Sequence, residues 1–324
     1  MAVRRTDYIL KRILFAVMTV FVAITINFVL FRMMPGDAIS NLSRVPHATP
    51  ALRAELAKEF GLDKPMWQQY LIYLQQLVHL NMGVSWVEQQ GQPVWQLLRN
   101  RLANTIPMAA LGTSVAIVIG IASGVVSAWR RNSAADYVST NVAIAFYAFP
   151  TQWLALMVLI IFAGVLPSYG MHDVFSMQMG RWQSYLDAFK HMLLPSLTFA
   201  LTLFGEYTLI VRSSMLETLG EDYVLTARAK GLSSWGVVRG HATRNAMLPT
   251  TTLIALSLGY IVAGAILIEA VFSWPGIGML TYSAVIHQDY PVLQGCFLVL
   301  TMSVIFFNLL ADLLYVKLDP RINE

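Results

Sequence analysis

The sequence predicts an all-α, polytopic membrane protein with six transmembrane helices. Three observations carry that expectation. Of the 324 residues, 56% are hydrophobic and only 12% charged, roughly half the charged fraction of an average soluble domain. Apolar runs long enough to cross a bilayer recur along the whole chain. Outside the one long polar loop, Lys and Arg segregate onto alternate connecting segments, as the orientation of membrane spans by basic loops requires.

Residues 1–12 carry Arg4, Arg5, Lys11 and Arg12 and read as a cytoplasmic amino terminus. The uncharged run 13–31 that follows is too long for the core of a signal peptide and ends in FRMMPGD without an Ala-x-Ala site, so it reads as an uncleaved first span. Residues 32–104 form the one large polar region, expected outside the membrane. Within it, LRAELAKEFGLDKP reads as an amphipathic helix ended by Gly61 and Pro65. The segment Trp67 to Leu80 places Tyr70, Leu71, Leu74, Leu77 and Val78 on one helical face. Asn41-Leu42-Ser43 fits a glycosylation sequon, a pattern short enough to arise by chance.

The core membrane domain is expected over 105–311. Its second span, Thr105 to Trp129, carries Gly112, Gly120 and Gly124 as a face for close helix packing. The third, from Val138, is too long for one straight span; Pro150 is expected to kink it and Pro167 to end it. Met192 to Val211 is the fourth, with Glu206 inside it and Arg212 after it. Leu248 to Ile268 is the fifth, and Pro291 to Ala311 the sixth. The segment FSWPGIGMLTYSAVIHQDYP between the last two reads as re-entrant or interfacial, and residues 312–324 as a cytoplasmic carboxyl terminus. With the long first loop set aside, since loops above about 60 residues translocate regardless of charge, thirteen Lys and Arg lie on the inner side against two outside. Both termini and the loop 213–247 are therefore expected in the cytoplasm.

Several chemistries are missing. No GxxxxGK[ST] offers a phosphate-binding loop, no His is followed by Glu as a HExxH zinc site requires, and no GxSxG elbow occurs. Basic residues are not interleaved with aromatics as nucleic-acid binding would need. Cys296 lies in an apolar run and reads as a buried small hydrophobe. Glu206 is the carboxylate deepest in an apolar run, and two roles stay open to it: a functional acid of the pathway, or a structural partner of Arg212. Glu269, where the fifth span ends, reads as an interfacial charge.

The strongest local signal is EDYVLTARAKGLSSWGVVRGHATRNAMLP, Glu221 to Pro249. Acids (Glu221, Asp222) precede a helix-forming run, and Arg228 and Lys230 precede Gly231. That order matches a helix dipole closed by a left-handed glycine. Ser233 or Ser234 can cap a second helix. A basic cytoplasmic loop of the ordinary kind accounts for the charges but not for the caps.

TARAKGL (Thr226–Leu232) followed by HATRNAMLP (His241–Pro249) resembles the cytoplasmic loop of bacterial ABC-importer permeases, most of all the dipeptide/oligopeptide/nickel branch. That superfamily's pattern is Glu-Ala-Ala, three residues, Gly, then Ile-x-Leu-Pro. Here Leu225, Thr226 and Ala227 stand at the Glu-Ala-Ala positions, and Ala246 replaces the Ile before Leu248-Pro249, departures that fit the peptide branch. RRILF, MPGDA (Met34–Ala38), FGLDKPMWQQYLIYL (Phe60–Leu74), NMGVSW (Asn81–Trp86), QPVWQLLRNRLANTI from Gln92, and Glu269 to Gly295 are similar to the first-permease type of such systems.

The resemblance implies a type I ABC importer permease fold and a non-catalytic transport subunit in the bacterial inner membrane. It implies a second homologous permease, two ATPases that bind ATP and Mg, and an extracytoplasmic solute-binding protein as partners, with no cofactor in this chain. Tyr223, Thr226, Ala227, Arg228, Ala229, Lys230, Gly231 and Leu232 would form the helix that docks on an ATPase, with Ala227, Ala229 and Gly231 as its small contact face. Arg228 and Lys230 either pair with ATPase acids or are solvated. A di- or oligopeptide is the expected cargo, with nickel chelates, glutathione, antimicrobial peptides or oligosaccharides as alternatives. A stand-alone ion-coupled carrier using Glu206 and an intramembrane hydrolase are the competing classes.

Overall fold

The computed structural model describes residues 5–33, 64–173, 180–263 and 265–318. The expected amphipathic helix at 52–65, the sequon and the MPGDA motif lie wholly or mostly outside them. The described chain is helical, with no β-strand among the described residues. Its helices are α1 (Arg5–Met33), α2 (Met66–Val78), α3 (Val94–Trp129), α4 (Ala134–Ala148), α5 (Thr151–Ile161), α6 (Arg181–Thr218), α7 (Asp222–Ala229), α8 (Ser234–Val237), α9 (Thr243–Ala263), α10 (Ile266–Phe272), α11 (Ile277–His287) and α12 (Tyr290–Leu318); a π-helical turn (Val238–Ala242) joins α8 to α9.

The centre of the bundle is the pair α3–α6, packed along most of its length. A Cβ on Gly112, Gly120 or Gly124 would come within 2.8 Å of Ser196, Phe199, Tyr207, Thr208 or Val211 atoms. These three positions, spaced four and eight residues apart on one face, therefore let the two backbones approach to a distance no larger residue permits. The helices are 36 and 38 residues long, each spanning ~54 Å or more at ~1.5 Å per residue. That exceeds the ~30 Å hydrocarbon core, so both carry membrane-crossing and protruding parts. The expected second span thus begins eleven residues inside α3, whose first three turns bury Val94, Leu97 and Leu98 in the main core.

Four helices among the described residues, α1, α3, α6 and α12, are long and apolar enough to cross a membrane, or five crossings if α4 and α5 count as one broken span. Six are not counted among the described residues: the expected fifth span, Leu248 to Ile268, falls on α9 and α10, and residue 264 between them lies outside the described residues. The third span is not merely kinked at Pro150: α4 and α5 meet at 110°. Proline drives the residue before it out of the helical region, and Phe149 is extended at φ −78°, ψ 129°. Helix α5 stops at Ile161 rather than at Pro167, followed by Gly164 at φ +79°.

Helix α1 lies on α12. Asn27 donates to the Gln294 carbonyl at 3.2 Å, and Arg12 pairs with Asp312 at 2.9 Å. Most of α1's other large apolar side chains are exposed, as a lipid-facing helix requires. Helix α2 sits across the end of α1 on part of the predicted face: Tyr70, Leu74 and Leu77 are half-buried, while Leu71 and Val78 are exposed. Gln69 is buried as well, and the Tyr70 and Tyr73 hydroxyls reach Thr25 and Asn27.

At one end of the bundle α10 and α11 fold into a tight corner. Glu269 is fully buried there, accepting from Thr105 Oγ1 at 2.6 Å and from the Met279 amide at 3.0 Å. This corrects the reading of Glu269 as an interfacial charge. Trp274 donates to the Asn104 carbonyl, and Asn104 donates to the Pro275 carbonyl. Asp289 gathers Ser85 Oγ and the amides of Trp86, Val87 and Glu88, tying the segment before α3 to the start of α12. Cys296 is buried and free, as its apolar setting predicts.

Candidate coupling surface

Helix α7 is closed at its carboxyl end by a full glycine cap. Gly231 takes φ +83°, its amide donates to the Arg228 carbonyl at 2.9 Å, and the Leu232 amide donates to Ala227 at 3.4 Å. This pair of bonds is the Schellman arrangement, and it satisfies carbonyls that a helix end otherwise leaves open. Two residues later the Ser233 hydroxyl accepts from the Gly236 amide and starts α8. The order acid, base, glycine, serine is thus realised as two short helices joined by a fixed turn.

That unit is anchored to the bundle from beneath. Val224, Ala227 and Val237 are buried together against Leu219. Beside them Val238, Ala242 and Ala246 pack on Val125 and Ala128 of α3 and on Val211 and Met215 of α6. Trp129, the last residue of α3, donates from its indole to Ser234 Oγ at 3.0 Å and lies 4.9 Å from the Trp235 ring. The Arg130 guanidinium covers the other partner of this stack, 5.3 Å above Trp129. The α7–α8 unit is therefore in direct contact with the ends of α3 and α6.

The same end carries a lock joining α3, α4 and α6. Arg212 grips Asp136 through two nitrogens at 2.7 and 3.0 Å, and Asp136 also accepts from Ser127, Thr140 and the Asn132 amide. Asp136 is nearly fully buried. Arg212 is thereby committed to Asp136, which removes it as a partner for Glu206. Nothing in the local sequence marked Asp136. The available signal was an acid in the first turn of a helix behind a serine cap, Ser133.

What remains exposed on α7 and α8 is unusual for a segment in water. Tyr223, Leu225, Leu232 and Trp235 are all at least 39% exposed, and Arg228, Ala229 and Lys230 are exposed between them. Neither Arg228 nor Lys230 makes an ion pair among the described residues. Thr226 bonds back to Asp222, and Tyr223 accepts from Asn245 at 2.8 Å. A run of large apolar side chains edged by cations is the composition of a protein-docking patch.

The expected small face does not exist as one surface. Ala227 is only 5% exposed and points inward, while Ala229 and Gly231 point out. Residues two apart on a helix diverge by about 200°, so 227 and 229 cannot share a face. The small residue at 227 is needed for packing on Val237 instead.

Glu206 stands apart from this surface. It lines a cavity of about 370 Å³ with Thr151, Thr202, Leu253 and Ser257 among its other walls. Among the described residues it makes no hydrogen bond and no ion pair.

Residues 116–324 match the family model described as the binding-protein-dependent transport system inner membrane component, and residues 5–109 match the amino-terminal model of the same systems. The chain is 36% identical to a dipeptide transport system permease protein of Escherichia coli (strain K12), with 98% of this chain and 99% of the relative covered. A di/tripeptide transport system permease protein of Pseudomonas aeruginosa (strain UCBPP-PA14) is 34% identical, and a glutathione transport system permease protein of Escherichia coli O6:H1 is 32% identical, each at the same coverage. A central helix pair, a lock at its end and a capped helical unit anchored to both are thus the parts of an inner membrane permease, and the chain belongs to the family of binding-protein-dependent transport system inner membrane components, the permease subunits of ABC importers.

Proposed function

We propose that this chain forms half of the translocation pathway of an ATP-driven importer of di- and oligopeptides, and that α7 with the Gly231 turn and α8 docks on a separate ATPase. The observation that carries the docking assignment is the contrast within one short unit: Val224, Ala227 and Val237 bury it on the bundle, while Tyr223, Leu225 and Leu232 face out exposed. A rigid element fixed on one side and adhesive on the other transmits a push. The names of the relatives, dipeptide and di/tripeptide permeases, support the cargo.

On this reading the chain is non-catalytic. ATP and Mg are bound and ATP is hydrolysed by two partner ATPases, a second homologous permease completes the pathway, and an extracytoplasmic binding protein delivers cargo. Both termini and α7–α8 face the cytoplasm, in line with thirteen basic residues on that side against two, and the chain crosses the inner membrane six times. Tyr223, Thr226, Arg228, Ala229, Lys230 and Leu232 present the contact surface, Gly231 sets the turn, and Ala227 holds the unit to its base.

The test is uptake of a labelled dipeptide by cells expressing all components. Ala227→Asp puts a charge into the Val224–Val237 contact, and Gly231→Pro forbids the positive φ. Each is expected to abolish uptake while the chain still reaches the membrane. Full uptake together with undiminished ATPase co-purification in both variants would overturn the docking assignment. Glutathione as cargo is the second reading, supported by the glutathione permease relative; mass spectrometry of the ligand carried by the co-purified binding protein separates the two.

A further inference from the structure

We infer that Glu206 is a recognition site for the cationic amino group of the cargo, an inference that rests on the importer reading above. Its direction is fixed by its neighbours. A Cβ on Gly205 would lie 2.3 Å from the Ala143 carbonyl, so residue 205 faces α4. Tyr207 is fully buried and lies against Gly120 of α3. Successive helical residues are turned by about 100°, and with 205 and 207 both seated on neighbours, residue 206 is left facing the cavity. There it meets Thr151 at the start of α5, Thr202 of its own helix, Ser257 of α9 and otherwise apolar walls. The cavity, about 370 Å³, is of a size that holds small organic ligands.

Among the described residues no cation answers that carboxylate. The stretch from Asn132 to Met171, which includes α4 and α5, contains no Lys, Arg or His, and neither does α10. Arg244 stands at the first turn of α9, well before the cavity-lining Leu253. Arg212 is engaged by Asp136. A carboxylate within a membrane helix, beside apolar walls and without a partner among the described residues, is costly, and a counter-charge brought from outside the chain would offset that cost. A short peptide carries one at its amino terminus: an ammonium with three donors, matched by one carboxylate and flanking hydroxyls. The contact is transient, since the cargo enters and leaves. That explains why no described residue fills the role permanently.

The experiment uses the assembled transporter in proteoliposomes, with dialanine and N-acetyl-dialanine as the probes. Because the binding protein is a separate chain, its own selectivity is the same for every permease variant. Glu206→Gln, which keeps size and hydrogen bonding but removes the charge, is expected to lower dialanine import by about tenfold or more, the scale of one hydrogen bond to a charged group. Glu206→Asp is expected to retain most of it. N-acetyl-dialanine, which lacks the ammonium, should be imported equally slowly by wild type and Glu206→Gln, and ATP hydrolysis stimulated by loaded binding protein should be unchanged. Dialanine import by Glu206→Gln at the wild-type rate would overturn the inference and point to a counter-cation from the second permease. An equal loss for both peptides together with stimulated hydrolysis would overturn it in favour of a structural role. A wild-type transporter that imports no dialanine would instead sink the importer reading itself, and the recognition site with it.

Discussion

The two ends of the bundle are built on opposite plans. At the α10–α11 corner, Glu269, Phe272, Trp274 and Ile277 are all buried, and the Glu269 carboxylate, the Trp274 indole and the Asn104 amide each bond across the corner. At the α7–α8 end a thin layer of three small or medium residues, Val224, Ala227 and Val237, with the Trp129 contact to Ser234 and Trp235, is the inner contact, and the outer face exposes Tyr223, Leu225 and Leu232 beside Arg228 and Lys230. Full satisfaction and deep burial make a corner that holds one shape. A shallow base under an adhesive outer face makes an element that is completed by a partner. On the docking reading proposed above, the difference separates a rigid reference from the place where force enters.

Substitutions that break the contrast should do so in a graded order. Glu269→Ala strands Thr105 Oγ1 and the Met279 amide and leaves a void. It is expected to destabilise the protein by about 3 kcal/mol or more, read as a large fall in thermal midpoint in detergent. Gly276→Val should act comparably, because a Cβ there would lie 2.2 Å from Glu269 Oε1. Asp136→Ala uncouples α3, α4 and α6 and leaves Arg212 partly buried without its acid, an expected loss of about 3 kcal/mol. The double variant Asp136→Ala with Arg212→Ala should cost less than the sum of the two singles, which a double-mutant cycle measures directly. Gly231→Ala forces a side chain into the left-handed turn and should cost about 1 kcal/mol, with a larger proportional loss of uptake than of stability. Trp235→Ala loses the ring contact with Trp129 and should cost about 1 kcal/mol, whereas Leu225→Ser, on the bare face, should change stability by less than about 0.5 kcal/mol and still weaken retention of the ATPase.

How much of this was legible in the sequence depended on whether a feature is local. Gly231 was readable because acids, bases and glycine in order specify a helix and its end within ten residues, and Ser233 because a serine after that glycine can only start something new. Gly112, Gly120 and Gly124 were readable because a four-residue period on an apolar run has one geometric meaning. Pro150 announced a break, though not its 110° size, since local rules act on Phe149 alone and the neighbours of α5 set its direction. The Asp136–Arg212 lock joins residues 76 apart, and Asp289 collects amides about two hundred residues away; no local pattern encodes either pairing. Glu269 looked interfacial for the same reason: its partners Thr105 and Met279 come from two other segments. Ala227 was misplaced by reading alternation as a face, where helical geometry turns alternate residues apart.

The docking claim is tested most directly by placing a charge on the bare face without touching the base. Leu232→Asp, purified in detergent with its partner permease and the ATPases co-expressed, should give a permease pair of wild-type thermal stability from which the ATPase is lost, with dipeptide uptake abolished in cells. Wild-type ATPase retention and wild-type uptake in Leu232→Asp would contradict the account, because a surface that tolerates a carboxylate at its centre is not the one pressed against a partner.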